Sequence, residues 1–159
     1  MGRDRSARAD KLVAADWLLS NSKKLLLNLL LLNTQRFGDA IGEQQEIAAA
    51  VADLAIEIYL GESALLRTKK ALQQGKHASV MSSLTLVFIH GSLKRMEHQA
   101  CITYTALETG TELDSRLASI RKLFAWTPPN VIELRRSIAK CLCASGDLTS
   151  ILVESHAIR

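Results

Sequence analysis

Between residues 47 and 72 apolar side chains recur at Ile47, Val51, Leu54, Ile58, Leu65 and Leu72, at spacings of three, four and seven. That period defines one face of an α-helix. It commits roughly thirty residues to a single amphipathic element, whose stripe has to be buried against something. The rest of the chain offers only more helices. It holds two prolines, eight glycines and 4% aromatic residues, and it is rich in Leu, Ala and Ile, a composition that favours helix over sheet. The expected fold class is therefore all-α, an up-down helical bundle of about five helices, three of them long.

The first helix is expected over residues 9–36, with a break near Ser20-Asn21-Ser22, and Gly38 and Gly42 flank a turn. The second spans 43–73. Asp39, Glu43 and Glu46 stand at its start and Arg67, Lys69, Lys70 and Lys76 at its end, the order that the helix dipole favours. Gly75 is its C-terminal stop. A third helix covers 78–108 and measures on the order of 45 Å. Its first half, Val80 to Ile89, is apolar nearly all round and should be the most buried segment. Gly91 in its middle costs about 1 kcal/mol against Ala, which close approach of a neighbouring helix would explain, and Gly110 ends it. A short fourth helix over 112–125 takes Thr111 with Asp114 as its capping pair.

The fifth helix opens in Thr127-Pro128-Pro129-Asn130. Either Thr127 caps it with Pro128 in the first position, or Asn130 caps it with Glu133 reaching back. Val131, Leu134, Ile138, Cys141 and Leu142 form its apolar side, and it stops near Ser145-Gly146. The resulting organisation is a bundle domain over 9–146, a disordered or non-native lead-in over 1–8, and a flexible tail over 147–159.

The length of 159 residues is that of one domain with a real core. Net charge is +4, mild and mixed along the chain, so nucleic acid is set aside as a partner. Cys101, Cys141 and Cys143 are odd in number and lie in helical patterns, which argues for a reducing compartment and packing rather than disulfides. The expected location is the bacterial cytoplasm, or the mitochondrial matrix face in a eukaryote. No stretch reaches the roughly 18 apolar residues of a membrane span. The longest run, Leu25 to Leu32, is interrupted by Asn28. With Lys23 and Lys24 before it, that run fits a buried or interface helix, and more weakly a helix seated on a membrane surface. Arg3, Arg5 and Arg8 lack an apolar signal core behind them, which suggests a start cut from a longer chain rather than a transit peptide.

Reaction chemistry has no local motif. His77, His90, His98 and His156 are scattered, and Cys141 and Cys143 point about 200° apart on a helix, so no metal site is expected. The Glu-x-x-His of di-iron bundles does not occur. Asp53 and Glu57, four apart, could in principle do acid/base work. They face away from the Leu54–Ile58–Leu65 stripe and read more simply as solvated. Glu62, close to Arg67, is expected to belong to a surface or interface ion pair. Ser63 lies inside a helix without a nearby base, and no Gly-rich phosphate loop follows a strand. Neither catalytic nor cofactor-binding residues are expected in this chain.

One string is more specific. Gln44 or Gln45 is followed by Ala52, Asp53, Ala55, Ile56, Glu57, Ile58 and Tyr59, and then by Arg67. From Phe37 to Leu72 the chain resembles the C-terminal helical extension of acyl-CoA dehydrogenases of the very-long-chain type. The likeness continues in outline through a long, a shorter and a last basic helix with Arg135, Arg136 and Lys140. It implies an accessory domain of an FAD-dependent enzyme of fatty-acid β-oxidation, supporting packing or oligomerisation of the catalytic core. FAD and the catalytic base would belong to the parent's core, and the partner would be that core or a second copy of this domain. Ala52, Asp53, Ala55, Ile56, Glu57, Tyr59 and Arg67 would then be structural or interface positions. The alternative is a free-standing helical interaction module, peripheral to a membrane through residues 23–32. The strongly apolar Val80 to Ile89 segment departs from the resemblance.

Overall fold

The computed structural model describes residues 2–75 and 77–145, with side chains from Arg8 onward. Five α-helices follow one another: α1 Gly2–Phe37, α2 Gln45–Gln74, α3 Ala78–Leu107, α4 Gly110–Leu123 and α5 Val131–Ser145, with a 3-10 turn, Gly38–Glu43, between α1 and α2. No strand occurs among the described residues. The three long helices run up, down and up. Lys23 reaches Glu62 and Lys69 reaches Asp16, so α1 and α2 are antiparallel and residues whose numbers add to 85 lie opposite one another. Thr68 meets Thr85 and Ser92 meets Glu57, which makes α2 and α3 antiparallel as well. Arg8 bonds Ser79, and Asn28 bonds Tyr104, so α1 and α3 are parallel.

α3 is the hub and packs against each of the other four helices. Its apolar run requires this. Val80, Met81, Leu86 and Ile89 are buried in the first half, as expected, and Leu93, Met96 and Ala100 continue the core. The hydroxyls buried with them are satisfied. Ser82 and Ser83 donate to Ala78 O and Ser79 O at 2.7 and 2.9 Å. Thr68 and Thr85 share a 2.7 Å hydrogen bond between α2 and α3.

Several local expectations are corrected. α1 does not break at residues 20–22. Ser22 Oγ donates to Leu18 O at 2.9 Å and Asn21 Nδ2 to Trp17 O at 2.8 Å, so the polar side chains fold back onto the preceding turn and leave the backbone ladder intact. Gly110 does not end α3, which closes at Leu107 with Glu108 N–H on Tyr104 O. With φ +60° it is the first residue of α4. The Thr111–Asp114 cap is not formed, because the cap position is Thr109 and carries no side-chain bond. Of the two openings considered for α5, Asn130 is the one used. Its Oδ1 accepts Glu133 N–H at 3.2 Å and its Nδ2 donates to Glu133 Oε2 at 3.3 Å. Gly75 stops α2 as expected, in the left-handed region at φ +69°. Lys76, Gly146 and the tail over 147–159 lie outside the described residues.

The close approach expected at Gly91 occurs elsewhere. A Cβ on Gly91 would meet only the guanidinium of Arg95, at 3.2 Å. A Cβ on Gly61 would lie 2.7 Å from Leu19 Cδ2. Gly61 is buried where α2 crosses α1, so its missing side chain is what lets Leu19 fill that contact.

Candidate docking face on the first two helices

The inner face of α2 buries Val51, Leu54, Ile58, Leu65 and Ala71. Its outer face is apolar too. Ile56, Tyr59 and Leu66 recur at three and seven residues along the helix and are mostly exposed, Tyr59 at 69% and Leu66 at 65%. α1 has a matching stripe of Val13, Trp17, Leu27 and Leu31, with Leu27 at 65% and Trp17 at 59% exposure. In the antiparallel register Leu27 and Leu31 lie level with Ile58 and Leu54, beside the outward Ala55 to Tyr59 turn. The ion pairs Lys23–Glu62 (2.5 Å) and Asp16–Lys69 (2.9 Å) run along the seam between the helices. Scattered exposed leucines are normal on any surface. Aligned stripes on two adjacent helices form a patch, and patches mark contact surfaces.

The leucine run on α1 divides between the two environments. Leu29 is fully buried, Leu25, Leu26 and Leu32 pack half-buried on the core, and Leu27, Leu30 and Leu31 are exposed. No helix among the described residues is long and apolar enough to cross a membrane.

The residues singled out from sequence separate into two sets. Ala52, Ile56, Tyr59 and Arg67 are exposed on the outer side of α2, with Ala55 half-buried beside them. Asp53 and Glu57 turn toward α3. Gln99 Nε2 donates to Asp53 Oδ2 at 3.2 Å. Glu57 is not solvated, contrary to expectation: its side chain is only 14% exposed. It takes a 2.6 Å hydrogen bond from Ser92 Oγ, one of 3.0 Å from Arg95 Nη2, and an ion pair with Arg95 Nε. Glu62 does belong to an ion pair at a helix interface, as expected, and its partner is Lys23 on α1. Ser92 and Arg95 were missed because they lie 35 and 38 residues beyond Glu57, and no local spacing encodes that meeting. The outer stripe did have a signal, since Ile56, Tyr59 and Leu66 are large apolar residues off the buried face.

Burial by itself would raise the Glu57 carboxyl pKa. The hydrogen bonds from Arg95 and Ser92, together with the Arg95 charge, outweigh it and hold the carboxyl below its ordinary value of 4.5. The folded state therefore favours the ionised form. The contribution to stability is complete above about pH 4.5 and is lost as pH falls through the lower folded value. Arg95 is 53% exposed, so solvent screening keeps the pair modest. Glu57→Gln is expected to cost about 1 kcal/mol at neutral pH. The measurement is urea unfolding of both proteins from pH 7 to pH 3. The difference should shrink toward zero at the acid end, and a constant difference would contradict the assignment.

Other titratable groups are poorly set up for catalysis. Burial pushes the Cys101 thiol up, with Glu97 adding and Arg121 opposing, the reverse of an activated thiolate. Burial also raises the Tyr104 hydroxyl, which donates to Asn28 Oδ1 at 2.7 Å. His90 is half-buried with its ring 6.2 Å from Trp126. Among the described residues no group of three or more His, Cys, Asp or Glu could hold a metal ion.

Comparison with known proteins bears on the same helices. The family described as "Acyl-CoA dehydrogenase, C-terminal domain" matches residues 21–122, from the middle of α1 almost to the end of α4. A probable acyl-CoA dehydrogenase of Bacillus subtilis (strain 168) is 36% identical over 125 residues, covering 77% of this chain and 21% of the relative. The crystal structure of an acyl-CoA dehydrogenase complexed with FAD from Bacillus anthracis superposes with a TM-score of 0.79 at 34% identity, covering 82% of this chain and 23% of that one. The chain thus spans between a fifth and a quarter of the length of these relatives.

Proposed function

The chain belongs to the acyl-CoA dehydrogenase C-terminal domain family, and from that premise we propose that it is the accessory domain of an FAD-dependent dehydrogenase of the very-long-chain type. In this reading it supports packing or oligomerisation of the catalytic core in the bacterial cytoplasm and carries no catalytic residue of its own. The observation that supports it is the apolar outer face of α1 and α2, which holds Trp17, Leu27, Tyr59 and Leu66 in water and includes the family-type positions Ala52, Ile56 and Tyr59. The relatives are four to five times longer than the stretch they share with this chain, so the occupant of the face is the remainder of such an enzyme. The docking unit comprises residues 9–146. Asp53 and Glu57 hold α2 on α3, and Ala52, Ala55, Ile56, Tyr59 and Arg67 meet the core.

A flavin does not fit these residues. The space among α1, α2 and α3 is filled by side chains such as Leu54, Leu65, Ile89 and Leu93, each no more than 2% exposed. Among the described residues, a cleft between α1 and α5 is lined by no aromatic side chain that could stack on a ring system. Flavin chemistry is therefore assigned to the core of the parent.

Absorbance titration of the chain with FAD tests this. No stoichiometric binding is expected, and tight one-to-one binding would overturn the reading. In the same preparation the uncovered face should drive self-association at micromolar concentrations, measurable by light scattering and reversed by Tyr59→Asp with Leu66→Asp. A wild-type chain that stays monomeric throughout that range would count against a docking face.

A further inference from the structure

We propose that the chain, where no catalytic core covers its outer face, forms a closed two-fold dimer in which α2 runs antiparallel to α2 of a second copy. The inference rests on the docking reading above and says what fills that face in the free chain. Away from the core, α2 carries a second stripe. Ala52, Ile56, Tyr59, Ser63, Leu66 and Lys70 follow one another at steps of four and three, the period of a helix-pairing seam. All are exposed except Ser63, which is half-buried. At 3.6 residues per turn the stripe lies about 150° around the helix from the buried Leu54, Ile58 and Leu65.

Charge decides which occupant fits. Arg67 stands two heptads beyond Asp53, so the two share one flank of the stripe, near its opposite ends. That length of helix separates them by roughly 20 Å, and they cannot meet within one chain. Among the described residues Asp53 is held only by the Gln99 amide, at 3.2 Å on Oδ2, which leaves Oδ1 for another donor. Arg67 has no hydrogen-bonding or charged partner there. In an antiparallel helix pair each flank meets the same flank of the other helix. A two-fold axis beside Leu60 and Gly61 therefore brings Asp53 of each copy level with Arg67 of the other, so the ion pair forms twice. The same axis sets Ile56 against Leu66 of the other copy, and Tyr59 against Ser63, so that the bulkiest residue of the stripe meets one of the smallest. In the register of α1 on α2, Trp17 comes level with Leu31 of the other copy and extends the apolar contact. Glu62, near the axis, is already neutralised by Lys23. Lys24 stands level with the axis on α1, where its long stem carries the ammonium out to solvent. A contact that is complementary to itself in this way closes at two copies.

Analytical ultracentrifugation of the full chain is the test, with a dimer expected as the largest species at micromolar concentrations. Asp53→Arg and Arg67→Asp each place like charges together at both contacts and should each weaken the dimer by roughly tenfold or more. Both positions are exposed, and circular dichroism should show unchanged helix content. Mixing the two variants in equal amounts should restore association to within about threefold of the wild type. In the mixed dimer the arginines of one variant face the aspartates of the other at both contacts. A role of either residue within its own chain would not recover on mixing. The control, Arg135→Asp, is exposed on α5 and should stay within about twofold of the wild type. Association that survives both substitutions, a mixture as weak as either variant alone, an equal loss in the control, or assemblies that keep growing past two copies would overturn the two-fold pairing and leave the docking face standing. A wild-type chain that stays monomeric would overturn both.

Discussion

Gly61→Val is expected to lower the unfolding free energy by about 2–3 kcal/mol, the usual cost of forcing extra atoms into a packed core. The first added atom would lie 2.7 Å from Leu19 Cδ2, and Leu19 is itself only 1% exposed, so its side chain has little room to turn away. Any relief must come from separating α1 from α2, which strains the Lys23–Glu62 and Asp16–Lys69 ion pairs along the same seam. In a domain of this size each kcal/mol shifts the melting temperature by roughly 2–4 °C, well within reach of a thermal melt followed by circular dichroism. Gly91→Ala is the paired measurement. There the new atom meets only the guanidinium end of Arg95, and removing a mid-helix glycine gains up to about 1 kcal/mol of helix propensity. A Gly61 variant that melts with the wild type, or a Gly91 variant that melts far below it, would contradict the packing described.

Leu54→Ala should have a comparable or larger effect. Leu54 is fully buried at the centre of the core cluster, and truncating such a leucine removes transfer energy and leaves a cavity, for about 3 kcal/mol or more. Leu66→Ala, on the same helix, should change stability by less than about 0.5 kcal/mol, because Leu66 is 65% exposed on the outer face. Both are leucines in one amphipathic sequence, so the contrast measures tertiary placement directly. Chemical denaturation of the two variants, at concentrations below those at which the chain self-associates, checks it. Equal losses would mean that the outer face is covered in the isolated chain, and the docking face would have to be abandoned.

Much of the architecture was legible before any coordinates. The periodicity of α2 identified Leu54, Ile58 and Leu65 as core, and the nearly uniform apolarity of Val80 to Ile89 marked the hub helix. Gly75 announced a helix stop because a left-handed residue there favours glycine. The polar interruption at residues 20–22 misled, since serine and asparagine favour turns only where their side chains compete for the backbone. Here they bond carbonyls one turn back and are absorbed into α1. Gly91 and Gly61 look alike in sequence. Only the crossing of α1 over α2 distinguishes a glycine that faces a neighbouring helix from one that meets a side chain of its own helix.

The candidate site divides along the same line. That the Ala52 to Tyr59 turn was special could be read from the string itself, and so could the family it points to. What Glu57 does could not be read there. A carboxylate four residues from another on an outward arc is solvated unless something distant covers it, and Ser92 and Arg95 arrive from another helix to do so.

By itself the sequence determined the helices, the central part of their buried stripes and the family, because helix period, capping and glycine stops act over a few residues; at the ends of the α2 stripe Ile47 is only half-buried and Leu72 is exposed. The tertiary structure alone decided which glycine is a packing contact, which carboxylate is held ionised, and which apolar stripe is left facing water. Those outcomes depend on which faces meet, and that choice is made by the burial of all five helices together.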